Sequence, residues 1–106
     1  MSAIKKWLLG GVTEAAKKLA QEMSKGYPAS MEDLPGKKPA ELRHRALVQL
    51  LTEGVLFQQA QQMGLLRKIF FARAFQKEMG QLGYSPTLTR QILSELLAKI
   101  SFAHRL

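Results

Sequence analysis

Residues 85–100 have the sequence SPTLTRQILSELLAKI, the clearest helical pattern in the chain. Ser85 is a good helix cap, and Pro86 suits the first turn, where its missing backbone N–H has no partner to lose. Apolar residues then recur every three or four positions, which places them on one face of a helix: Ile92, Leu93, Leu96, Leu97, Ile100 and Ala103. We therefore predict an amphipathic helix over residues 86–104.

The same periodicity predicts three more helices, over residues 2–24, 39–63 and 65–82. A connector with prolines, residues 25–38, separates the first two. No strand-like alternation of apolar and polar residues competes with this interpretation. The sequence therefore predicts an all-α fold, a compact bundle of about four helices in a single domain over residues 1–106.

The segment over residues 65–82 is the most apolar in the chain, and its apolar residues point in two directions. One stripe consists of Phe71, Phe75, Met79 and Leu82. Leu66 and Phe70 lie on a different side of the helix. Such a helix is either buried centrally or meets a second partner, so a candidate protein interface consists of Leu66, Phe70 and Phe71. Packing in the core and stacking on the bases of a single strand are the alternatives for the phenylalanines.

The chain is strongly basic, with 16 Lys and Arg against 8 Asp and Glu and a net charge of +8 over 106 residues. A protein this basic usually has a polyanionic partner. Eight of these cations form two groups in the sequence. The first, at the start of the second helix beside His44, consists of Lys37, Lys38, Arg43 and Arg45. The second, on the third helix, consists of Arg67, Lys68, Arg73 and Lys77.

The first group lies where it weakens the helix. The helix dipole favours negative charge at an N-terminus, so each cation there costs a few tenths of a kcal/mol. Free amide groups beside cationic side chains are a site for a phosphate or another anion. We therefore predict a non-enzymatic protein that binds nucleic acid, DNA or RNA, mainly through phosphate contacts, alone or as a small subunit of a larger nucleoprotein complex.

The main alternative is a helical module for protein–protein interaction or self-association that uses the apolar segment 65–82. It predicts a homo-oligomer or a complex with another protein.

A third interpretation comes from residues 56–75. Ala60, Met63-Gly64-Leu65 and Phe70 match the small, turn-glycine and apolar core positions of a helix-turn-helix DNA-binding unit, which this segment resembles. The preceding residues 50–54 resemble the end of the helix that often comes before such units. The resemblance implies a sequence-specific regulator whose recognition helix opens with Leu66, Arg67, Lys68 and Phe71, with Arg67 reading a guanine.

The composition argues against several other classes. There is no Cys, and the two histidines, His44 and His104, stand apart with no second ligand at a suitable spacing. We therefore expect no metal, no cofactor and no enzymatic activity. The apolar run at residues 7–12 follows two lysines but is shorter than a signal-peptide core. No apolar stretch approaches the ~20 residues of a membrane span. We expect no integral membrane association and a cytoplasmic location.

Overall fold

The computed structural model describes the backbone of residues 11–105 and the side chains of residues 11–101. Residues 11–105 form four α-helices and a short 3-10 helix, Ala29–Met31, and they form no strand. The α-helices are α1, Val12–Gly26; α2, Lys37–Gln61; α3, Leu65–Gln81; and α4, Pro86–Arg105. The predicted all-α four-helix bundle is confirmed.

The ends of α2, α3 and α4 fall within two residues of the predicted ones, the usual uncertainty of a helix end. The first helix is different. The prediction of one helix over residues 2–24 is wrong at Gly11, whose φ of 82° lies outside the α-helical region, so α1 begins at Val12. Residues 2–10 lie outside the described part of the chain.

Each helix buries one stripe of side chains, as the periodicity predicts. The core consists largely of Val12, Ala16, Leu19 and Met23 from α1; Ala46 and Leu50 from α2; Phe71, Phe75 and Met79 from α3; and Leu88, Ile92, Leu96 and Ile100 from α4. Three aromatic rings form a stack through this core. The ring centroids of Phe57 and Phe71 are 6.1 Å apart, and those of Phe71 and Phe75 are 6.4 Å apart. Stacked rings at this spacing add to the stabilisation from burial.

The helices that pack most extensively are not neighbours in the chain. α1 packs mainly against α3, and α2 mainly against α4. The second pair runs in the same direction, because Arg43 contacts Gln91 near the start of both helices and Gly54 faces Ile100 further along. The two helices approach closely at Gly54, where a Cβ would lie 2.5 Å from Cδ1 of Leu96. The absence of a side chain at residue 54 thus allows this close approach.

A hydrogen-bonded group joins the connector after α1 to the turn before α4. The Tyr84 hydroxyl donates to the backbone carbonyl of Tyr27. The Ser85 backbone N–H donates to Oε1 of Glu32 at 2.9 Å. Ser85 is also the helix cap that the sequence predicts, since its Oγ accepts from the Leu88 N–H at 3.2 Å. These bonds fix the connector that leads into α2.

Tyr84 should make the stability of the fold depend on alkaline pH. Burial, followed by the nearby Tyr27 and Glu32, raises the pKa of Tyr84 from 10.0 to about 12. The folded state therefore favours the neutral phenol, and its contribution is complete below pH 10.0 and is lost as the pH rises through about 12. Urea unfolding at several pH values should show this loss of stability. The Tyr84→Phe variant should lack the part of the loss that comes from ionisation of Tyr84. An equal loss of stability in both proteins would contradict the role of Tyr84.

A buried glutamine closes the break between α2 and α3. The Gln58 side chain is 1% exposed. Its Nε2 donates to the Met63 carbonyl at 3.2 Å, and its Oε1 accepts from the Met63 N–H at 3.0 Å. Gln62, between them, takes a left-handed conformation with φ 50°. The two helices are therefore not continuous, and Gln58 satisfies the backbone polar groups that the break leaves inside the protein.

Candidate nucleic-acid interface

The start of α2 combines free amide groups with cations. Gly36 precedes the helix with φ 112°, and no described side chain caps it. Lys37 and Lys38 open the first turn, which contains no acidic residue. The helix begins two residues before the predicted start at residue 39. Both lysines therefore lie beside unpaired backbone N–H groups, whose partial positive charge adds to their own.

The structure divides the four cations of the first group by their surroundings. Lys37, Lys38 and Arg45 are exposed. Arg43 is half-buried, and its Nη2 donates to Oε1 of Gln91 at 3.3 Å, so it ties α2 to α4. His44 is exposed and lies near Lys37 and Arg45 in an open groove. Three of the four predicted phosphate ligands are therefore exposed, and Arg43 is partly exposed.

The length of α2 separates part of the second group from the first. α2 has 25 residues, so it is roughly 37 Å long at the usual helical rise. Lys37 lies at one end of it, and α3 begins beyond the other end. Arg67 and Lys68 are half-buried near that second end, whereas Arg73 and Lys77 are exposed further along α3. The length of α2 therefore separates Arg67 and Lys68 from Lys37. α3 runs back toward the start of α2, because Ser85, just after α3, bonds to Glu32 in the connector before α2.

The predicted protein interface needs one correction. Phe71 is 0% exposed and belongs to the core, because it lies on the α3 stripe that faces the other helices. Phe70 is half-buried, and Leu66 is 50% exposed. The prediction missed Leu65 and Ile69, which are 77% and 42% exposed. Ile69 lies three residues after Leu66 on the side of the helix opposite the buried stripe, and this spacing is a usable signal.

Two features of the structure disagree with the helix-turn-helix resemblance. A turn glycine is normally selected for a positive φ, but Gly64 has φ −80° and the residue with a left-handed backbone is Gln62. Phe71, which the resemblance places at the opening of a recognition helix, is buried in the core and cannot contact DNA. Leu66 is exposed, while Arg67 and Lys68 are half-buried.

Comparison with protein-family models, curated proteins and solved structures finds no match. None of the described helices has the length and apolar content that crossing a bilayer requires. Within residues 11–101, no group of three His, Asp or Glu side chains is arranged to hold a metal ion. Charge, burial and geometry are therefore the basis for inferring a function.

Proposed function

We propose that this protein binds nucleic acid in the cytoplasm through phosphate contacts at the start of α2, alone or as a small subunit of a nucleoprotein complex. The observation that supports this is the exposure of Lys37, Lys38 and Arg45 around a helix N-terminus with no side-chain cap. None of these three side chains forms an ion pair with a described carboxylate.

The energetics favour a polyanion over a small anion. Each cation that contacts a phosphate releases condensed counterions, so the affinity grows with the number of contacts. The amide groups of the first turn add hydrogen bonds to phosphate oxygens. Arg43 acts as a positioning residue, since its bond to Gln91 holds the start of α2 against α4. Contacts of this kind carry little sequence information, and both DNA and RNA supply them.

Two matched variants test the location of the site. One replaces Lys37, Lys38 and Arg45 with alanine, and the control replaces the exposed Lys17, Lys18 and Arg90 with alanine. Both lose two lysines and one arginine, so the net charge changes equally. We expect the α2 variant to bind a labelled oligonucleotide at least ~10-fold more weakly at low salt, because three phosphate contacts are lost. The control variant should stay close to the original protein.

The two variants also distinguish a local binding site from a general attraction between the basic protein and the nucleic acid. Equal weakening in the two variants would mean that the overall charge, and not the start of α2, drives binding. Unchanged binding in the α2 variant would remove this surface from the proposal. A preference of about 1,000-fold for one duplex over random competitor would instead favour the sequence-specific regulator.

A further inference from the structure

The outer face of α3 carries a line of exposed residues that the core does not use. Successive spacings of three and four residues connect five exposed positions: Leu66, Ile69, Arg73, Gln76 and Gly80. This is the spacing of the a and d positions along which two helices pair. The opposite face of α3 is buried in the core, so the outer face is held in a fixed orientation. α3 therefore presents a preformed seam to a further helix.

The seam has an apolar half and a cationic half. Leu66 and Ile69 are 50% and 42% exposed, and Leu65 beside them is 77% exposed. Arg73 follows at an a position, and Lys77 flanks it one turn later; both are exposed. No atom lies within 4 Å of a Cβ built on Gly80, so a partner helix has space to approach there. Exposed leucines and isoleucine at regular spacing are typical of an interaction surface.

We propose that this seam binds one helix of another protein, with apolar residues opposite Leu66 and Ile69 and acidic residues opposite Arg73 and Lys77. The inference goes beyond nucleic-acid binding, which uses the start of α2. Apolar burial supplies the attraction in the first half of the seam. Charge pairing in the second half fixes the register and the partner, as polar residues at a positions do in coiled coils.

A second copy of this chain fits the seam poorly. In a parallel pair, Arg73 would face its own copy, and the two Lys77 side chains would add to the repulsion. In an antiparallel pair aligned along the whole seam, the apolar half of one copy would cover the cationic half of the other. Both arrangements bring like charges together or bury cations against leucines.

A lipid surface also fits less well than a helix. A helix that lies in a membrane interface has apolar residues along its whole inserted face. Here the exposed large apolar residues end at Ile69, and the rest of the exposed face includes Gln76, Gly80 and Gln81. A partner helix that is apolar along one half and acidic along the other complements both halves of the seam.

A synthetic helix tests the proposal directly. The probe is a labelled three-heptad peptide with leucine at its a and d positions in the first half and glutamate at the facing positions in the second half. A second peptide has lysine in place of each glutamate. We expect the protein to bind the acidic peptide at least ~10-fold more tightly than the basic one, because like charges across an interface are strongly disfavoured.

Variants of the seam make the test specific. Leu66→Ser with Ile69→Ser should abolish detectable binding of the acidic peptide. The control, Val48→Ser with Leu56→Ser, removes apolar side chains of similar exposure from α2 and should bind normally. Arg73→Glu with Lys77→Glu should reverse the preference so that the basic peptide binds more tightly. Circular dichroism should show that all three variants remain folded, since every changed residue is exposed.

Several results would overturn the proposal. Equal affinity for the two peptides, or no reversal in the Arg73→Glu, Lys77→Glu variant, would exclude charge pairing along the seam. A concentration-dependent dimer in sedimentation that the Leu66→Ser, Ile69→Ser variant abolishes would assign the seam to a second copy. Binding to phosphatidylglycerol vesicles that is lost in the same variant, with no peptide binding, would assign it to a lipid surface.

Discussion

We expect Phe71→Ala to lower the free energy of unfolding by about 4 kcal/mol, the usual cost of removing a fully buried phenylalanine. The side chain is 0% exposed, and its ring lies between those of Phe57 and Phe75. The substitution therefore removes apolar burial, leaves a cavity and breaks the aromatic stack. Urea unfolding followed by circular dichroism measures the loss.

Leu66→Ala is the matched control, because Leu66 is an apolar residue of the same helix but is 50% exposed. Its free energy of unfolding should stay within about 0.5 kcal/mol of the original value. A similar loss in both variants would mean that Leu66 is part of the core. A small loss for Phe71→Ala would mean that the stack contributes little to folding.

Gln58→Leu should lower the free energy of unfolding by about 3 kcal/mol, because it leaves two buried polar groups without a partner. The Met63 N–H and carbonyl both bond to the Gln58 side chain, and both residues are buried. Leucine has a similar size but neither donates nor accepts a hydrogen bond. Thermal and urea unfolding would both report the loss.

Gln61→Leu provides the control, since Gln61 is exposed in the last turn of α2. It should change the free energy of unfolding by less than about 0.5 kcal/mol. Gln58→Glu separates hydrogen bonding from packing. The ionised carboxylate cannot donate to the Met63 carbonyl, but the protonated acid can, so this variant should gain stability relative to the original protein as the pH falls. A loss that is independent of pH would indicate packing alone.

Local patterns were enough to predict the helices. The Ser85-Pro86 start and the stripe from Ile92 to Ile100 depend on neighbours within four residues, so the sequence contains the information directly. The two apolar directions of α3 were predictable for the same reason. Gly11 shows the limit: the periodicity continues across it, but its backbone has a positive φ, and α1 begins only at the next residue.

The features that could not be predicted depend on contacts between helices. Phe71 and Leu66 both looked available to a partner, and only the packing of α3 against α1 and α4 buries one and exposes the other. Gln58 stood among several glutamines, and its partner depends on the backbone conformation at the break. The distance in space between the two basic groups could not be predicted either, since it depends on the length of α2 and on the direction of the chain beyond it.

The salt dependence of binding to labelled single- and double-stranded oligonucleotides tests the proposed function most directly. With three phosphate contacts, the affinity should fall roughly 40-fold for a duplex and roughly 20-fold for a single strand between about 50 and about 200 mM salt, whatever the base sequence. The variant without Lys37, Lys38 and Arg45 should lose most of this dependence. Absence of binding at about 50 mM salt, or binding that salt does not weaken, would contradict a phosphate-binding surface at the start of α2.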